Sequence, residues 1–314
     1  MEQKNNDLAS FISDGNHDNI DVERENDKHS VTASDYENKP SVSRLPFYGD
    51  AMNEINVNEL VDDVVPSVFV LIGFPKYGKS TFVSSFYHVV MREGKIGKYK
   101  FLDSETLAGF ERRSHIRNAE IVAKKRLDRT PIYADYFLSM LFENTVTHEY
   151  VKIVISDRSG EVYHNYAAKK ASLESDKLLA TKCHLIYFLD SEVLASYDSF
   201  IGMRNDIDNL SKQMNKLGLF DNCKTYEVVY NKADKLEQNS ELKADFDCSS
   251  PLIEGKLEGY CKLRKKIKVS SLNPLRNNGL KKYFEEMLDE CSTVKCAENE
   301  LLDNTAVPFR NHRA

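Results

Sequence analysis

From Val64 onward short apolar runs alternate with longer amphipathic stretches, whereas residues 1–60 show no sustained apolar period. Val68-Phe69-Val70-Leu71-Ile72 is an unbroken run of β-formers ending at Gly73, the pattern of a strand covered on both faces. A helix is expected from Lys79 to Met91, because Phe82, Phe86, Val89 and Val90 recur at i, i+4, i+7 and i+8 and share one face. Val151–Ile155, Leu185–Leu189, Tyr226–Tyr230 and Ile267–Val269 repeat the buried-strand pattern, each with polar or helical sequence after it. Tyr133–Phe142 reads as an additional strand, forming a hairpin with Val151–Ile155 through the turn Asn144–Glu149. Leu280, Tyr283, Phe284, Met287 and Leu288 make an apolar stripe at helical spacing that follows Asn277-Asn278-Gly279. Alternating strands and helices without an internal repeat predict a three-layer α/β domain of about 230 residues.

Composition sharpens the boundaries. The chain has 314 residues, 49 acidic and 43 basic, with a net charge of −6. Residues 1–60 hold seven Asp and six Glu against three Lys and two Arg, a net −8, which leaves the remainder at +2. Rich in Asn, Asp, Ser and Glu, the stretch 1–62 is expected to be a disordered acidic arm, residues 63–295 the folded domain, and 296–314 a frayed tail. Lys235–Lys266 is longer than a bare connection needs and is either a partner-binding insertion or a helix-containing connector.

Several function classes fall away. No apolar run approaches the roughly 20 residues needed to span a bilayer. The first thirty residues lack a basic end plus apolar core, so secretion is not expected. Position 2 is not glycine and the chain ends Asn311-His312-Arg313-Ala314, so no lipid anchor is expected either. Six cysteines without a C-x-x-C pair fit reduced cytoplasmic thiols rather than a disulfide scaffold or a zinc site. No basic stripe interleaved with aromatics supports nucleic-acid binding.

The chemistry begins where the first strand ends. Gly73-Phe74-Pro75-Lys76-Tyr77-Gly78-Lys79-Ser80 fits G-x-x-x-x-G-K-[ST], followed by Thr81 in the helix. Glycines let such a loop curl so that successive backbone N–H groups point at phosphate oxygens, and the helix beginning there adds its positive end. Lys79 would neutralise the β- and γ-phosphates, and the Ser80 hydroxyl would ligate magnesium. The strand before and helix after are the context this motif requires.

Asp157-Arg158-Ser159-Gly160 stands at the end of the strand reaching Ile155. An acid there can hold a magnesium-bound water, and Gly160 can offer its N–H to a γ-phosphate. Tyr226–Tyr230 ends in Asn231-Lys232-Ala233-Asp234, where a carboxylate can accept from guanine N1–H and the exocyclic amine, groups that adenine does not present in the same way. On this reading Asp234 selects the base, the Lys232 stem lies over the ring, and Asn231 ties this loop to the phosphate loop. Ser270-Ser271-Leu272 follows Ile267–Val269, either as backbone approaching the guanine O6 or as a simple turn.

Four motifs in this order resemble the TRAFAC-class, Ras-like P-loop GTPases over roughly residues 64–292. The resemblance implies a mostly parallel sheet with one antiparallel strand, helices on both faces, and GTP/GDP with magnesium as ligands. A closer likeness is to the bacterial double-GTPase-like proteins of conflict and defence systems. It is carried by Asp103-Ser104-Glu105-Thr106-Leu107-Ala108-Gly109-Phe110, Arg129-Thr130-Pro131, Ile155–Val162 and His184–Leu194. It implies a GTP-dependent switch working with a protein partner, an effector or a companion GTPase.

Departures from the Ras pattern leave alternatives open. The first-switch threonine that completes the magnesium shell is assigned to Thr130, with Thr106 and Thr145 as the other candidates. Glu161 stands where a glutamine usually orients water; it either does so or is a surface acid. Arg158 is either a positive group near the transferring phosphate or a switch arginine paired with an acid. Lys76 either substitutes for a potassium ion between the phosphates or is simply exposed. Three classes compete on these residues: a GTP-hydrolysing switch, a nucleotide-sensing module with little hydrolysis, and an ATP-using P-loop enzyme.

Overall fold

The computed structural model describes residues 49–53, 64–115, 136–271 and 278–295. Its strands are β1 (Ser67–Ile72), β2 (Lys95–Ile96), β3 (Tyr99–Asp103), β4 (Tyr136–Asn144), β5 (Glu149–Asp157), β6 (Cys183–Asp190), β7 (Cys223–Asn231), β8 (Lys265–Lys268) and β9 (Val294–Lys295). They form one sheet in the order β2-β3-β4-β5-β1-β6-β7-β8, with β9 paired to β5. β5, β1, β6, β7 and β8 are mutually parallel. The predicted hairpin is present, β4 running antiparallel to β5 with Tyr136 opposite Asp157.

The antiparallel edge is larger than the single strand expected, because β2 and β3 extend it beyond β4 and β9 adds to β5. Lys95–Ile96 has only two residues and the alternation Tyr99-Lys100-Phe101 only three, too short for hydrophobic patterning to mark a strand.

Helices are α1 (Lys79–Glu93), α2 (Leu107–His115), α3 (Gly160–Ala168), α4 (Lys170–Glu174), α5 (Ser191–Ala195), α6 (Tyr197–Lys216), α7 (Ala233–Gln238), α8 (Ser240–Glu258) and α9 (Asn278–Asp289). They cover both faces, which is why the central strands are apolar without alternation. Successive strand side chains point to opposite faces. Phe188 meets Phe82 of α1 at 4.9 Å, and Phe82 meets Phe284 of α9 at 5.1 Å. Tyr187, one residue earlier, packs on Tyr226 at 6.0 Å, and Tyr230 on the same side of β7 packs on Phe246 of α8 at 5.1 Å. The stripe Leu280, Tyr283, Phe284, Met287 and Leu288 is wholly buried, and the Tyr283 hydroxyl donates to Glu227 Oε2 at 2.9 Å.

α1 runs two residues past the predicted end and stops where Gly94 turns left-handed (φ 67°), its N–H donating to Val90 O. Between Lys235 and Lys266 lies α8, capped by Asn239 and buried through Phe246, Ile253 and Leu257. Residues 49–53, assigned on composition to the acidic arm, are ordered: Met52 exchanges two backbone hydrogen bonds with Phe137. Composition cannot show this, since backbone pairing needs no apolar side chains. Among the described residues no helix is long and apolar enough to cross a membrane, and the five described cysteines are free thiols.

Candidate functional site

The C-terminal ends of β1, β5 and β7 open onto one edge of the sheet, and three polar loops meet there. The first runs from Gly73 to Gly78 into α1. Gly78 is left-handed (φ 88°), and a Cβ on it would stand 2.0 Å from Asn231 Nδ2, so both conformation and space demand glycine. Gly73 is equally closed in, with Phe188 O at 2.9 Å from the position of a Cβ. No side chain caps α1 and its first turn carries no acid. Its leading N–H groups are therefore available to an anion, with the helix dipole favouring negative charge.

Lys79 is buried, its ammonium donating to Gly73 O and, at 3.5 Å, to Phe74 O, while lying 5.5 Å from the centre of the Tyr163 ring. Burial lowers it to about 8, opposed by the negative charges of Asp157 and Glu161. A phosphate entering the loop would return to this ammonium the partner that burial denies it. Tyr77 is buried, and its hydroxyl is pushed well up by burial and by Asp190 and Asp206. Thr81 lies in the first turn, where its carbonyl accepts from Ser85 Oγ. Lys76 is exposed and left-handed (φ 70°), with no ion pair among the described residues.

The second loop follows β5. Asp157 is buried, and its Oδ1 accepts from Ser80 Oγ at 2.9 Å across 77 residues of chain. Gly160 begins α3 directly against the phosphate loop; a Cβ there would lie 2.2 Å from Pro75 N and 2.4 Å from Phe74 C. Only a glycine lets the two loops touch. Glu161 is half-buried and accepts from Ser159 Oγ. Arg158 forms a buried ion pair with Asp176. Asp176 in turn accepts from the backbone N–H groups of Leu178 and Leu179 at 2.9 and 3.1 Å. Of the two expected roles for Arg158, pairing with an acid is the one observed, and the pair is buried rather than exposed.

Thr130 lies outside the described residues. Of the other two threonines, Thr106 is buried, accepting from Ser139 N at 2.8 Å and donating to Ser139 O at 3.4 Å. Thr145 sits in the β4–β5 turn, donating to Lys98 O. The full length of β5, on the order of 25–30 Å, separates it from Asp157.

The third loop follows β7. Asn231 is buried and donates through Nδ2 to Tyr77 O at 3.0 Å, tying it to the phosphate loop as expected. Its Oδ1 accepts from Ser271 N at 3.2 Å and Ser271 Oγ at 2.9 Å, so one side chain joins the phosphate loop, the turn after β7 and the turn after β8. Ser85 Oγ of α1 donates to Ser271 O, closing the ring. Ser270 is buried beside it. Lys232, left-handed (φ 60°), pairs with the buried Asp190 and, at 3.6 Å, with Glu192. Asp234 stands in the first turn of α7, and its carboxylate has no hydrogen-bond or ionic partner among the described residues. An unspent carboxylate beside a lysine stem is what a planar donor pair such as the guanine N1/N2 edge requires.

Magnesium fits this donor set. The Ser80 hydroxyl and the Asp157 carboxylate offer hard oxygens already in contact, and such an ion completes its shell with phosphates and water. Sequence reasoning missed Asp190, which anchors Lys232, and Arg113, whose Nε donates to Asp157 Oδ2 at 2.5 Å. Neither belongs to a motif. Asp190 at a strand end was visible as a polar residue closing an apolar run, while Arg113 gave no signal.

A family model described as Double-GTPase 2 matches residues 67–256. Among solved structures, similarity is found to translation elongation factor SelB from Methanococcus maripaludis in complex with the GTP analogue GppNHp. Identity is 11% and the TM-score 0.37, over 74% of this chain and 36% of that one. The chain thus spans little more than a third of that protein's length. No curated protein matches it.

Proposed function

The chain belongs to the Double-GTPase 2 family, and from that premise we propose that it is a molecular switch that binds GTP and hydrolyses it to GDP. The observation that carries this reading is Asn231, whose three hydrogen bonds hold the phosphate loop and the N-K-x-D turn in one frame while Asp234 stays free for a base. The β- and γ-phosphates fall to the amides of α1 and to Lys79, and Gly160 offers its N–H to the γ-phosphate, a role supported by its close approach to Phe74 and Pro75. When bound on Ser80 and Asp157, magnesium supplies charge neutralisation on the phosphates. Thr130 remains the proposed closing ligand from the first switch. Catalysis on such a site is mostly positioning and charge stabilisation, so intrinsic turnover is slow and a partner accelerates it. Loss of the γ-phosphate releases the two switch segments, the change a protein partner reads. The setting we propose, a multi-component bacterial defence-type system, is supported by the family resemblance alone.

Glu161 favours a second reading, a sensor with little turnover, because its carboxylate is engaged by Ser159. Single-turnover product analysis separates the two. The base assignment is tested by calorimetry with GDP, a non-hydrolysable GTP analogue and the matching ATP analogue, all with magnesium. Wild-type protein is expected to bind guanine nucleotides at micromolar concentration or below and the ATP analogue not at all. Asp234→Asn is expected to cut the guanine preference at least about tenfold, since a hydrogen bond to a charged group is worth about 1.5–3 kcal/mol. An unchanged preference would remove Asp234 from the base site.

A further inference from the structure

Asp157 does not wait empty for a metal. Arg113, on α2, donates through Nε to Asp157 Oδ2 at 2.5 Å and through Nη1 to Gly109 O at 3.0 Å. Its guanidinium lies 5.0 Å from the centre of the Tyr136 ring, and its side chain is only 13% exposed. With Ser80 Oγ on the other oxygen, both Asp157 oxygens are engaged, one of them by a full positive charge. A guanidinium and a divalent ion against one buried carboxylate repel each other, the more so in a poorly solvated pocket. Binding of magnesium with nucleotide therefore works against the Arg113 contact.

We propose that Arg113 is the resident counter-ion of Asp157 and exchanges with magnesium when nucleotide loads, so that α2 reports the occupancy of the site. Arg113 acts through Asp157 and is a positioning residue. Its helix is also tied to the segment upstream of the domain. Gly109 N–H donates to Gly49 O at 2.9 Å, Arg112 pairs with Asp50 at 2.8 Å, and a Cβ on Gly109 would stand 2.5 Å from Ala51 N. Met52 continues that segment as a bridge to Phe137 beside the end of β4. Release of Arg113 thus loosens α2 and, with it, the strap 49–53. The inference rests on the reading of Ser80 and Asp157 as magnesium ligands in a GTP site.

The test is a magnesium titration of GDP binding to the full chain, with hydrogen exchange on residues 49–53 and 107–115. Arg113→Ala and the closer replacement Arg113→Gln, which keeps a donor but no charge, should each lower the magnesium concentration at half-maximal binding by about tenfold, the size expected for losing a charge-assisted hydrogen bond. Both variants should show, without nucleotide, the faster exchange at α2 and the strap that wild type shows only with magnesium and bound nucleotide. An unchanged or raised magnesium requirement, or exchange at α2 indifferent to magnesium and nucleotide, would overturn the proposal. Wild-type protein that binds no GDP at any magnesium concentration would sink the site reading, and the exchange with it.

Discussion

Replacing Asn231 by alanine tests whether the phosphate loop and the turns after β7 and β8 act as one unit. The side chain is 2% exposed and makes three hydrogen bonds, one to Tyr77 O and two from Ser271. The substitution deprives two buried backbone groups, the Tyr77 carbonyl and the Ser271 N–H, of this partner. A lost partner costs roughly 1–3 kcal/mol per buried group, so the nucleotide-free protein should lose about 3 kcal/mol of stability. That is a large part of the 5–15 kcal/mol typical of a domain. Urea denaturation at constant slope reads this directly. In the folded variant, Gly78 is no longer pressed against the Asn231 amide and the phosphate loop is uncoupled from the base-reading turn. GDP affinity by calorimetry should therefore fall by a further ten- to hundredfold on protein that is still folded. A stability change below about 0.5 kcal/mol would refute the hydrogen-bond argument. A destabilised variant with unchanged GDP affinity would refute the claim that Asn231 organises the site.

Two further outcomes follow from groups outside the phosphate loop. Removing one partner of the buried Arg158–Asp176 pair, by Arg158→Ala, should cost about 3–5 kcal/mol in denaturation, because the remaining carboxylate is left buried and uncompensated; full stability with a lowered turnover would instead place Arg158 on the phosphate. His184 is buried against Phe69, with rings 4.6 Å apart, and burial lowers it to about 4. The fold holds it neutral while the unfolded chain protonates it near 6.5. Its contribution is thus complete above pH 6.5 and lost as pH falls towards 4, up to about 3 kcal/mol. Stability measured across that window should fall less steeply in His184→Gln; an identical pH profile would show that another group carries the loss.

Much of the site was legible in the chain because its recognition elements are local. A phosphate cradle is built from consecutive amides and needs glycine at fixed places, so G-x-x-x-x-G-K-S shows itself within eight residues. The same holds for Asp157 to Gly160 and Asn231 to Asp234, each a strand end plus a turn. The stripe of α9 and the hairpin β4–β5 were equally visible, since periodicity records which side of an element is covered. The strap 49–53 and the pair β2–β3 were not, because the first pairs through backbone groups alone and the alternation of the second spans too few residues to register as a period.

What the sequence by itself determined is the class of fold, the position of the glycine-rich loop and the residue types gathered at the candidate site. What only the tertiary structure decided is how those offers are engaged. Arg158 is paired with Asp176, Glu161 is held by Ser159, and Arg113 takes the Asp157 carboxylate. Arg113 and Asp157 lie 44 positions apart, and Asn231 and Tyr77 154. The physical reason is that a charged or amide side chain is satisfied by whichever partner the fold brings within about 3 Å, and over such separations that choice belongs to packing, not to local pattern.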